Sequence, residues 1–175
     1  MAGPAPGRPV CPEMFGAVGD GVTDDAISLQ KVFASGYTVE CRTEAVYRTS
    51  RPIEMFDRQK VIGNRATIRK FSGSTTGITG RLGAYGGLYN YDVDCAVVFA
   101  ASNDYYAFID INDLIIVKEK VLGADVGYVF YSPYICTSTL RNITVFGGEY
   151  GFWGADIWMV SWERCAAYSK CGFVS

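Results

Sequence analysis

Histidine is missing from the 175-residue sequence, and with it go Ser-His-Asp and Cys-His nucleophilic triads and every His-based zinc or iron site. Any catalysis must use carboxylates, Arg, Lys, Tyr or Cys. The six cysteines (Cys11, Cys41, Cys95, Cys136, Cys165 and Cys171) contain no C-x-x-C pair, so zinc ribbons and thioredoxin-like motifs have no support. They read mostly as small buried hydrophobes with free thiols. No apolar run approaches the roughly 18 residues needed to span a bilayer. Met1 to Pro12 is rich in Pro and Gly and carries no hydrophobic signal core. Neither membrane insertion nor export by a visible signal is expected. The formal net charge is only -2 and Lys and Arg are scattered, which argues against nucleic acid as a partner.

What is present is apolar residues, 49% of the chain, enough for one packed domain rather than disorder. The most informative stretch runs from Phe15 to Gln30. Gly19-Asp20-Gly21 favours a tight turn with positive φ on both sides of an Asx-type residue, so a strand is predicted to stop there. Thr23 sits where a helix N-cap belongs, with Asp24 and Asp25 in the first turn. Ala26, Leu29, Gln30 and Phe33 recur at helical spacing, and Ser35-Gly36 supplies a stop, giving a helix over about 24–34. Asp20, Asp24 and Asp25 could be a carboxylate cluster for metal or catalysis. Turn formation and capping explain them better, because a calcium loop needs regularly alternating oxygen ligands, and no metal site is assigned.

The second half contains a repeat. Ile111-Asn112-Asp113-Leu114-Ile115-Ile116 aligns with Leu140-Arg141-Asn142-Ile143-Thr144-Val145 and with Trp162-Glu163-Arg164-Cys165-Ala166-Ala167, each of the form apolar-x-x-apolar-x-apolar. Such offsets suit solenoid coils with insertions of varying length. Val61 to Ile68 is a weaker copy, read as about two periods before the first. Cys95 to Phe99 reads as a strand buried on both sides. Turns are predicted at Gly63-Asn64, Gly86-Gly87, Gly123, Gly147-Gly148, Gly151, Gly154 and Gly172. Thr75 to Asn90, rich in Gly, Thr and Tyr, is predicted to project as an insertion. The run Gly80, Gly83, Gly86, Gly87 lacks the Lys-Ser/Thr ending of a phosphate loop. Asn142-Ile143-Thr144 falls inside a predicted strand and is a chance glycosylation match.

A β-sandwich would also show short alternating strands. The balance is tipped by the opening motif, which resembles that of right-handed parallel β-helix proteins of the pectate lyase-like superfamily, especially phage tailspike depolymerases. The fold expected is therefore all-β: a right-handed parallel β-helix with a short N-terminal capping α-helix, which covers the open first coil. Residues 1–14 are expected to be a linker and 15–175 the solenoid, the N-terminal part of a longer one.

The resemblance implies a virion protein of the phage tail, made in the host cytoplasm. It would assemble as a homotrimer, attach to phage tail or baseplate proteins, and bind and depolymerise bacterial surface polysaccharide. Alternatives are a non-catalytic structural or receptor-binding virion module, and a cellular pectate lyase-like enzyme. Glycoside hydrolysis needs two carboxylates, and Asp110, Asp113, Asp125, Glu149, Asp156 and Glu163 are the candidates, with no pair assignable. No cofactor is expected for hydrolysis. A lyase would need Ca2+ or another charge neutraliser and a basic residue, for which Arg141, Arg164 and Lys170 are available. Tyr150, Phe152, Trp153, Trp158 and Trp162 cluster near the end. Trp153 and Trp158, flanking Gly154-Ala155-Asp156, are the predicted sugar-stacking residues.

Overall fold

The structure is a computed structural model that describes residues 8–79, 81–82, 88–89, 91–99 and 105–174. After a 3-10 turn at Pro12–Phe15, the chain forms β1 (Asp20–Asp24), α1 (Ala26–Phe33), β2 (Val39–Glu40), β3 (Val46–Thr49), β4 (Ile53–Glu54) and β5 (Lys60–Lys70). There follow β6 (Arg81–Leu82), β7 (Leu88–Tyr89), β8 (Cys95–Val98), β9 (Tyr106–Ala107), β10 (Asp110–Lys118), β11 (Tyr128–Tyr131), β12 (Tyr134–Gly147), β13 (Tyr150–Trp153), β14 (Asp156–Glu163), β15 (Ala166–Tyr168) and β16 (Cys171–Val174). Apart from the antiparallel β6–β7 pair, the strands belong to two parallel sheets. One is built on β1-β3-β5-β10-β12-β14, with β2, β9 and β15 attached, and the other runs β16-β13-β11-β8-β4. The chain alternates between them turn after turn, which makes a parallel β-helix with the right-handed crossover that parallel strands adopt.

The repeat is the coil itself. Ile111 pairs with Leu140 and Leu140 with Trp162, while Leu114 pairs with Ile143 and Ile116 with Val145, which in turn faces Ala167. In a flat strand inward residues are two apart, yet Ile111 and Leu114 are three apart and both fully buried. The intervening Asp113 has φ 59°, and its counterparts Asn142 and Arg164 have φ 50° and 52°. This left-handed residue bends the wall and resets the alternation, so the two polar positions of the pattern are a corner. Asn and Asp tolerate that conformation best. A second corner ladder is formed by Phe108, Thr137 and Met159, with φ of 56°, 43° and 51°.

Val61 pairs directly with Ile111, so the weaker copy is one coil away, not two periods. The 50-residue offset contains one coil plus the insertion. Of that insertion, residues 75–79, 81–82 and 88–89 are described; Gly80, Gly83, Gly86 and Gly87 lie outside the described residues. Its stem folds back on itself, with Thr76 N–H donating to Val93 O and Tyr91 N–H to Ile78 O. Cys95–Val98 is buried on both faces, as read from sequence. Gly63, Gly151 and Gly172 lie within strands rather than at turns. Gly147 and Gly148 do form a corner with positive φ, and a Cβ on Gly147 would meet Lys118 O at 2.0 Å.

The N-terminal cap departs from the sequence reading. The turn at Gly19 precedes β1 instead of ending a strand, and Thr23 is a strand residue, not the N-cap. Asp25 is the N-cap, although its side chain makes no capping bond. Ala26, Leu29, Val32 and Phe33 bury the inner face of α1, while Gln30 does something else: its amide donates to Glu54 O and accepts from Glu54 N–H. It thereby satisfies the edge strand β4, which is what a cap must do. Packing also begins before residue 15, since Val10 is fully buried and bridges Val39. The expected 1–14 linker therefore contributes to the folded body from Val10 onward.

Two cap carboxyls sit below the ordinary carboxylate range. Asp20 does so because the N–H groups of Thr23 and Val22 bond its ionised form. At Asp24 burial pushes upward, but Ser50 and the Ala26 N–H outweigh it. A depressed carboxyl contributes stability that is present above its unfolded value and lost as pH falls through the folded one. The thermal midpoint is accordingly expected to fall on acidification below about pH 4, and Asp24→Asn to flatten part of that slope in a pH series of melting curves.

Candidate functional site

One wall of this solenoid, where β9, β12 and β14 lie side by side, carries the exposed Trp158. Tyr106 pairs with Ile135, and Ile135 with Ile157; Ile135 is fully buried, so these positions face the interior. By alternation Tyr134 and Cys136, and beside them Asp156 and Trp158, face outward. Ala107, Cys136 and Trp158 form one row and Tyr134 and Asp156 another. The Asp156 carboxylate accepts from the Tyr105 hydroxyl on one oxygen and from the Trp158 indole N–H on the other. Trp158 remains 57% exposed and the corner residue Met159 78%. Together with Tyr105 and Cys136 they line an apolar hollow of about 240 Å³. An indole fixed at its N–H edge, with its faces not stacked on another ring among the described residues, is a ready platform for the apolar face of a sugar.

Trp153, the other predicted stacking residue, is placed differently. It lies in β13 on the second sheet, stacked on Tyr131 at 4.7 Å and 9° and edge-on to Tyr128 at 5.6 Å. Tyr131, Tyr134 and Tyr91 form a packed cluster to which Trp153, Tyr105, the insertion residue Ile78 and Val93 add. Trp153 thus belongs to a band of rings that supports the wall, and Trp158 stands at the band's exposed end. Tyr150 stacks on Tyr128 in the same band, whereas Phe152 and Trp162 pack toward the interior. Sequence reasoning missed Tyr105, Cys136 and Met159. The register of β9, β12 and β14 joins them, and the repeat pattern carried back from Leu140 and Trp162 to the start of each strand could have pointed there.

Of the acidic candidates, the structure brings Asp110 and Glu163 onto one guanidinium, with Arg141 Nη1 at 3.3 Å and Nε at 3.2 Å. Ser161 also donates to Glu163. Asp113 and Arg164 are corner residues. Asp125 lies 3.6 Å from Lys120 and its carbonyl accepts from Lys170. Glu149 is positioned by its N–H bonding Gly127 O. Asp20, Asp24 and Asp25 all bond backbone N–H groups.

A lyase would need Ca2+ or another charge neutraliser beside the substrate carboxylate. The two carboxylates at Arg141 already answer its charge, and no group of three or more His, Cys, Asp or Glu side chains among the described residues is arranged around a common point.

No known family profile matches the sequence, and no curated protein matches it. Solved structures do. The gp42 tailspike of Acinetobacter phage vb_AbaP_AS12 is 25% identical with a TM-score of 0.79, over 91% of this chain and 27% of the tailspike. Tailspike protein 3 of bacteriophage CBA120 is 17% identical with a TM-score of 0.57, over 91% of this chain and 28% of that protein. The second likeness shows the fold alone. The chain spans about a quarter of the length of these tailspikes, and its architecture is the parallel β-helix they share with it.

Proposed function

We propose that the chain acts as part of a phage tailspike and binds bacterial surface polysaccharide along the wall that carries Trp158. The observation that supports this most is the exposed indole, edge-bonded to Asp156 and bordered by Tyr105 and Met159, on a solenoid similar in fold to a tailspike at a TM-score of 0.79. Flat aromatic surface offers a sugar ring contact area at low entropic cost, and Asp156 beside it supplies polar character for hydroxyl groups. A homotrimer, attachment to phage tail or baseplate proteins and a place in the virion belong to the same proposal.

Depolymerisation is the second reading, and the Asp110–Arg141–Glu163 cluster is what favours it. Hydrolysis asks one carboxyl to donate a proton and the other to activate water or attack the sugar. Here Arg141 is engaged with both groups, so a substrate must displace it from one of them.

The test is incubation of the purified chain with a panel of bacterial surface polysaccharides, following binding, reducing ends and unsaturated products together. Saturable binding is expected, and Trp158→Ala should weaken it by about tenfold or more, the scale of a central aromatic contact. The melting temperature should barely move, because the ring is mainly exposed. New reducing ends abolished by Glu163→Gln would establish hydrolysis, and unsaturated products would favour a lyase. Absence of binding across the panel would turn the reading to a structural virion module.

A further inference from the structure

A cluster of charges sits inside the molecule where the insertion leaves and rejoins the coil. Lys70 and Lys118 are the last residues of β5 and β10, paired in register, and both side chains are fully buried. One carboxylate serves both: Asp94 Oδ1 lies 2.5 Å from Lys70 Nζ and Oδ2 lies 2.9 Å from Lys118 Nζ. Lys70 Nζ also donates to Ser72 O at 2.7 Å. Lys118 Nζ, although close to Asp94, has no partner in hydrogen-bond geometry among the described residues. The neighbouring Cys95 thiol is buried and pushed up by that burial, so it adds no second negative charge. Two buried ammonium groups on one carboxylate leave a positive charge without a counterion, a costly arrangement. Burial accordingly pushes Lys70 toward the neutral amine, although Asp94 opposes it. A desolvated neutral lysine is a nucleophile.

We propose that Lys70 and Asp94 join through an intramolecular amide bond, with Lys118 as the proton donor. In the step, the Lys118 ammonium first passes a proton to Asp94 Oδ2, 2.9 Å away, and the Lys70 Nζ lone pair attacks Cγ of the resulting neutral acid. One N–H bond of Lys70 and the C–O bond to the protonated oxygen break, and the N–C bond forms. The departing hydroxyl takes the Lys70 proton and leaves as water. Lys118 ends as a neutral amine beside a neutral amide, which removes the buried charge. No oxidant, metal or further reactant is required. The product would close residues 70–94 into a ring and fasten the stem of the insertion to the coil. This inference does not depend on polysaccharide binding.

Intact mass spectrometry of the purified full chain, denatured after incubation at neutral pH, is the direct test. The expected result is a species lighter than the sequence mass by one water, with a proteolytic fragment in which the peptides holding Lys70 and Asp94 remain joined. Asp94→Asn should lose one ammonia instead, Lys70→Met should show no loss, and Lys118→Met should accumulate the lighter species more slowly. A folded chain whose mass equals that of the uncrosslinked sequence overturns the proposal and leaves an ionic cluster. A loss of water mapping to Asp20-Gly21, where an Asp-Gly step can cyclise, also overturns it.

Discussion

Replacing Phe130 with alanine is expected to lower the free energy of unfolding by about 3–5 kcal/mol, the range for deleting a buried aromatic ring. Phe130 is fully buried, with ring centroids 5.4 Å from Phe99, 5.6 Å from Phe152 and 6.2 Å from Trp162. In a solenoid each coil's interior side chains pack mainly on the coils above and below. The rows here are held by parallel ladders, with Phe130 opposite Val97 on one side and Phe152 on the other. Neighbouring rings therefore cannot slide along the axis to fill a hole without breaking backbone bonds, and the cost should sit toward the upper end. Phe173 stacks on Phe152 in the last described coil and is 56% exposed, so Phe173→Ala should cost much less. Denaturant midpoints at unchanged slope check the comparison. Equal losses at the two positions would show that the ring column does not transmit packing along the interior.

The part of this fold legible in the sequence is the part where one residue must take a left-handed conformation. Asp113, Asn142 and Arg164 bend the wall, and the bend dictates the apolar-x-x-apolar spacing that the alignment found. The second sheet has no such marker. Tyr128–Tyr131 and Tyr150–Trp153 are aromatic on both faces, so alternation says little about them. The coil offset between Val61 and Ile111 was hidden by the insertion, which adds length without pattern. At the cap, clustered carboxylates resemble a helix start, and only the three-dimensional positions of the Val18 and Gly19 amides reveal a different use for Asp25.

For the candidate site, the aromatic wall was partly readable and the buried lysines were not. Trp158 announces itself as a large ring beside Gly154-Ala155-Asp156, but exposure separates it from Trp153, and exposure depends on the insertion packing over the second sheet. Lysine is ordinarily a surface residue, so Lys70 and Lys118 invite no attention one at a time. Carrying the repeat two positions past Ile68 and Ile116 would have placed both lysines at the same point of successive coils, where the third coil has Gly147.

Asp25→Ala is expected to cost about 2–5 kcal/mol, from one buried and one partly buried amide each losing a charged acceptor. Oδ1 accepts from Val18 N–H at 2.7 Å and Oδ2 from Gly19 N–H at 3.0 Å, and Asp25 is 1% exposed. The loop cannot shift to find other partners. Gly19 has φ +66°, and a Cβ there would lie 2.9 Å from the Tyr47 ring. The Asp25 backbone is fixed as well, with its N–H bonded to Arg48 O and its carbonyl to Leu29 N–H. Thr23→Ala removes only an exposed hydroxyl from Asp20 and should stay within about 1 kcal/mol. Had Thr23 been the N-cap, the order would be reversed, so the pair of variants discriminates the two accounts. Thermal or denaturant unfolding gives the energies, and hydrogen exchange locates them. Faster exchange at Val18 and Gly19 in Asp25→Ala, with the interior strands still protected, would assign the loss to these two bonds. Unchanged exchange there would mean that water or another group accepts them, and that the carboxylate is not what holds the cap on the first coil.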